Sequence, residues 1–188
     1  AFNGSKVLLS EQEDDEMAKI RREFSRRKWL CGAIATTGMR DSEFLEFMQQ
    51  NNLSVESALL LHTDIVAREH KENNNYGLYR NALLHKGNIY EHIGELADAL
   101  KMYFAVCYLD DNGCTNGGSG FSKRQAFFAP AVIDWIISIT EKLGYKRLQV
   151  RTLFLETATS YIEEGMAITP EKTWAKLGKS LYRKSLTD

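Results

Sequence analysis

The residues of this chain whose types and spacing could do chemistry fall into three groups. His85 and His92 lie seven positions apart with Glu91 beside the second, so a helix through them sets both imidazoles near one face, where histidine can ligate a metal or shuttle a proton. Two helical turns separate them by about 10 Å along the axis, too far to share one ion, and the spacing matches neither HExxH nor a paired-cysteine site. They read as packing or groove residues, and neither a metal nor a cofactor is expected. Cys31, two positions after Trp29, would need an oriented histidine and carboxylate to act as a nucleophile. No such set is visible, and the residue reads as a small buried hydrophobe. The third group is the stretch DDNGCTNGGSGFSKRQ, residues 110–125. A phosphate loop needs Gly-Lys-Ser/Thr after its first glycine and four residues, whereas Gly113 and Gly118 lead into Ser119 and Gly120. Counted from Asp110 as a calcium loop, Thr115 and Phe121 occupy the positions that require Gly and Glu. Residues 110–122 therefore read as a glycine-rich connector, with Ser119 or Ser122 capping the next helix and Lys123 and Arg124 turned to a partner acid.

The elements that must position these groups are helices. Only Pro130 and Pro170 interrupt 188 residues, and apolar side chains recur at three- and four-residue intervals. An all-α fold follows, and with 44% hydrophobic residues the chain can close a core as a single domain over 1–188, residues 1–9 being an arm. A Ser cap, an acidic first turn and Gly38 beyond the end mark a helix over 10–36. Asp41 caps a short helix to residue 50, and Ser54 caps one to about residue 71. Further helices are expected over 76–92, 96–109, 126–143 and 146–164, then from Pro170 with Thr169 as cap, seven or eight in all and antiparallel.

Composition narrows the function classes. Lysine and arginine number 24 against 25 acids, so no global field drives binding to nucleic acid or anionic lipid. Three cysteines without CxxC spacing argue against a disulfide framework and for the reducing cytoplasm. No run reaches the length of a membrane span. The start without Met reads as part of a longer or trimmed chain.

In NALLHKGNIYEHIGELADALKMYFAVCYLDD, residues 81–111, the positions of Gly87, Tyr90, Gly94, Ala99 and Tyr103 resemble a tetratricopeptide repeat, a pair of antiparallel helices in about 34 residues. Small Gly87 and Ala99 face each other where the helices approach, Tyr90 and Tyr103 fill the space on either side, and Gly94 supplies a left-handed turn. Leu83, Lys86, Val106 and Asp111 stand where the family favours Trp, Leu, Ala and Pro. The resemblance implies helix pairs stacked as a right-handed superhelix, with residues 51–71 before the repeat and 126–144 with 146–164 after it, Gly144 playing the role of Gly94. A compact helical bundle is the other arrangement open to this pattern. The resemblance also implies a peptide groove lined by Asn81, Leu84, Asn88, Glu91 and His92. Asn88 matches the asparagine that holds a peptide backbone in family members. Leu84 stands where carboxylate-binding members carry lysine, and Glu91 favours a basic segment.

Two basic features remain. RREFSRRK, residues 21–28, follows five acids between Glu11 and Glu16 and reads as a helix charged to suit its dipole. In the last helix Lys172, Lys176, Lys179 and Arg183 share one face while Trp174, Leu177 and Leu181 share another. That pattern is an amphipathic packing helix with a solvated basic side, and nucleic-acid or anionic-surface binding through it is the second reading. The first reading is a non-catalytic module that binds a protein or peptide; an enzyme with a site near His85, His92 and the connector is the third. Composition and spacing leave the oligomeric state open.

Overall fold

A computed structural model of the chain describes residues 41–114, 121 and 128–183. The helix expected over 10–36, the arm, Cys31, Lys123, Arg124 and most of the connector lie outside these residues. The described residues form seven helices, α1 (Asp41–Asn51), α2 (Val55–Glu72), α3 (Tyr76–His92), α4 (Leu96–Asp111), α5 (Pro130–Leu143), α6 (Arg147–Thr159) and α7 (Pro170–Tyr182). They contain no strand; an isolated bridge joins Cys114 to Phe121. The fold is all-α.

Local chemistry sets most of the ends. The Ser54 hydroxyl accepts from the Ser57 N–H at 3.2 Å and opens α2, and the Thr169 hydroxyl accepts from the Lys172 N–H at 3.4 Å ahead of Pro170. Gly94 and Gly144 take φ of 85° and 68°, which lets Glu95 and Tyr145 return their N–H groups to Tyr90 and Thr140. Two boundaries differ from expectation. α5 starts at Pro130 and not at residue 126, because the residue before a proline is driven to extended backbone and Ala129 takes φ −61°, ψ 124°. α6 stops at Thr159, six residues before Gly165. There the Thr159 and Ser160 hydroxyls bond back to the Leu155 and Glu156 carbonyls, and the next three N–H groups tighten to i−3 partners.

The chain divides into two compact units, residues 1–63 and 64–188, with the boundary inside α2. In the first, Phe44, Ala58 and Leu59 are buried and Phe47 meets the His62 ring edge-on at 5.6 Å. In the second, α4 is the axis of the core and packs against α3, α5, α6 and α7. Every residue from Tyr103 to Leu109 is buried, as a helix apolar all round must be. Aromatic contacts radiate from it. Phe104 meets Phe154 of α6 at 5.3 Å, and Phe154 in turn meets Trp174 of α7 at 5.6 Å.

α3 and α4 form the expected antiparallel pair, but the close approach falls elsewhere than foreseen. A Cβ on Gly87 would lie 2.7 Å from Tyr103 Cε1 and 3.1 Å from Met102 Cβ, so the nearest side chains across the crossing are Tyr103 and Met102, where Ala99 was expected. α5 and α6 each lie on α4, and α6 also packs on α7.

Candidate interaction surface

The residues expected to line a groove all sit half-buried on α3. Asn81 Oδ1 accepts from Arg80 Nη1 at 3.2 Å, and Arg80 grips Asp110 of α4 with two bonds of 2.8 and 2.9 Å. Leu84 packs against the core. His92 lies in the last turn of α3.

Asn88 and Glu91 are brought together by a residue that sequence reasoning had placed only as packing. The Tyr103 hydroxyl lies 2.8 Å from Asn88 Oδ1 and 2.8 Å from Glu91 Oε2, donating to the pair. One proton is shared between both acceptors unless the Asn88 amide turns its nitrogen to the hydroxyl, and in either arrangement the second Glu91 oxygen stays open. The Tyr103 ring is fixed from behind by Trp135 of α5 at 5.3 Å. Burial first, then the bond to Glu91, pushes this phenol far above its ordinary range, so it remains a donor at every physiological pH. Two half-exposed polar side chains one helical turn apart are thereby held in fixed rotamers by one buried hydroxyl.

His85 is also half-buried, and its pKa is lowered by burial and then by the charge of Arg80. Among the described residues no group of three His, Cys, Asp or Glu side chains is arranged to hold a metal. Burial raises the thiols of Cys107 and Cys114, the latter to about 12, which makes both poor nucleophiles. The ends of the connector meet at the Cys114–Phe121 bridge, and Phe121 rests on Tyr76 of α3 at 4.7 Å.

No protein-family model, curated protein or solved structure matches this chain.

On α7 the apolar face is buried as expected, with Trp174, Leu177 and Leu181 in the core. Lys172, Lys179 and Arg183 are exposed. Lys176 departs from the stripe, since its Nζ pairs with Asp111 Oδ1 at 2.7 Å. Sequence reasoning missed this because Asp111 lies 65 residues away.

It also passed over the outer side of α6. An open recess of about 410 Å³ lies beside Tyr145, Leu148 and Gln149, and another of about 370 Å³ beside Lys101, Met102 and Tyr161; Leu153 and Glu156 line both. Leu148 and Leu153, apolar residues off the core-facing pattern, were the available signal. It was masked by the stronger pattern of Val150, Phe154, Thr157 and Ala158, which face the core.

Proposed function

We propose that this chain is a non-catalytic protein-interaction module that binds an extended, basic peptide segment along α3. The observation that carries the reading is the Tyr103 hydroxyl holding Asn88 and Glu91 at 2.8 Å each. Ordering two polar side chains before a ligand arrives lowers the entropy lost on binding. An amide beside a carboxylate offers a main-chain N–H and C=O their complements, and the open Glu91 oxygen adds a preference for lysine or arginine over a carboxylate terminus. The tetratricopeptide resemblance supports the same face. Cys107 and Cys114 are free thiols, in keeping with the cytoplasmic setting that the cysteine pattern suggests.

The test is a library of blocked decapeptides graded in net charge, with binding read by fluorescence anisotropy. Basic members are expected to bind, and Asn88→Ala with Glu91→Ala to weaken them at least tenfold, about 1.4 kcal/mol, without loss of helicity. Equal binding of acidic and basic members, or full retention by the double variant, overturns the reading.

A further inference from the structure

α6 carries a line of apolar and threonine side chains along its outer side, with Leu155 at its edge packed in part against the core. Along the helix Leu148, Thr152, Leu155 and Thr159 follow one another at the alternating four- and three-residue steps of a coiled-coil seam, and Ile162 lies beyond its end. Leu148 is 70% exposed and Ile162, in the turn that follows the helix, 53%. Thr152 and Thr159 are exposed and Leu155 is half-buried. The core-facing residues Val150, Phe154, Thr157 and Ala158 occupy the other side. An exposed leucine at one end of such a line, with threonines beside it, offers an interaction surface.

The charges beside the line indicate what covers it. Arg151 flanks it on one side and Glu156 on the other, five residues on, and neither has an ion-pair partner among the described residues. Nor do the charges of α6 serve the helix itself. Arg147 in its first turn stacks on the Tyr182 ring of α7 at 3.3 Å, whereas Glu156 stands in a last turn without a base, where a negative charge opposes the helix dipole. A five-residue offset between opposite charges across a seam is the spacing at which flanking residues of two parallel helices meet. Under a two-fold axis parallel to α6, each Arg151 faces the Glu156 of a second copy, so the surface is complementary to itself.

We propose that this chain forms a two-fold dimer through α6, with Leu148, Thr152 and Leu155 in the seam and each Arg151 paired with the second copy's Glu156. The surface differs from the α3 face proposed for peptide, and the two readings stand or fall separately. The helix has only 13 residues, so the seam is short, the dimer is concentration-dependent and its charge pairs are sensitive to salt.

Sedimentation equilibrium of the full chain over a wide concentration range tests this, with circular dichroism to verify the fold of each variant. The wild type is expected to show a monomer–dimer equilibrium. Arg151→Glu and Glu156→Arg should each raise the dissociation constant about tenfold or more through like-charge contacts, while the double exchange restores it to within about threefold. Leu148→Ser should weaken association in a background whose charges are untouched. A wild type that stays monomeric at its solubility limit overturns the proposal. So does a dimer indifferent to the single reversals and to Leu148→Ser, or a double exchange that fails to restore association.

Discussion

Asp111 at the end of α4 accepts the Thr173 hydroxyl at 2.7 Å across 62 positions of chain. The carboxylate is nearly sealed from solvent, its residue only 2% exposed, and its other oxygen takes Lys176 Nζ at 2.7 Å. Beside it Asn112 Oδ1 accepts the Ile168 N–H at 3.0 Å while the Tyr108 hydroxyl donates to the Ile168 carbonyl at 2.8 Å. The C-terminal end of α4 thus clasps both α7 and the segment that leads into it. Thr173→Val leaves one buried oxygen unserved and should cost about 1–3 kcal/mol in urea unfolding. Lys176→Ala should cost less, because its side chain is 43% exposed and water can take its place. A larger loss from Lys176→Ala than from Thr173→Val would show that the charge and not the hydroxyl holds the clasp.

Gly87 limits how large a side chain the α3–α4 crossing accepts. Its added Cβ would meet the Tyr103 ring at 2.7 Å, and that ring is backed by Trp135, so it has little room to yield. Gly87→Ala should destabilise by about 1–3 kcal/mol despite the better helix propensity of alanine. Ala99, fully buried on α4, should respond to Ala99→Leu by a similar amount. An unchanged denaturation midpoint for both would mean that the two helices cross with more space than these distances allow.

Tyr103→Phe separates ring from hydroxyl. The packing on Trp135 is kept, while the bonds to Asn88 and Glu91 are lost, at a cost of about 1–3 kcal/mol. Because the hydroxyl positions both side chains, the same change should weaken basic-peptide binding although Tyr103 is itself buried. Calorimetry should show a less favourable binding entropy, since Asn88 and Glu91 must then be ordered by the ligand.

Stability should fall as the solution is acidified below about pH 6.5. The pKa of His85 is lowered from 6.5 by burial and then by Arg80, and that of His62 by burial. The unfolded chain therefore takes up protons first; the stability is complete above 6.5 and is lost as pH falls toward the lowered folded values. Asp110 has the opposite sign at lower pH, since burial raises its carboxyl above 3.8 and the folded chain protonates first. His85→Gln should flatten the decline between about pH 7 and pH 5.5, measured by thermal melts at constant ionic strength.

Cys107 and Cys114 should resist alkylation in the native chain. The Cys114 thiol is pushed up to about 12 by burial and the charge of Asp110, and fully buried Cys107 is also raised. At about pH 8 neither supplies thiolate. Peptide mapping after iodoacetamide should find both unmodified until denaturant is added. Rapid native labelling of either would indicate local opening around the end of α4.

The helices of this protein were legible because their signals are local. Ser54, Gly94, Gly144 and the Thr169–Pro170 pair act within one turn of where they stand, and α3 begins and ends where its pattern does. The ends that were misread also have local causes, but ones that periodicity does not show: Ala129 driven extended by Pro130, and hydroxyls of Thr159 and Ser160 turned back onto their own helix. The side-chain assignments needed the tertiary structure, because each depends on how one helix is rotated against another. A lysine stripe reads the same whether Lys176 is solvated or bonded to Asp111. Tyr103 reads as packing until α4 is turned so that its hydroxyl reaches Asn88 and Glu91. Charge pattern and periodicity are properties of single elements and survive in the sequence. A bond between residues dozens of positions apart is set by the packing around α4, which no window of the sequence contains.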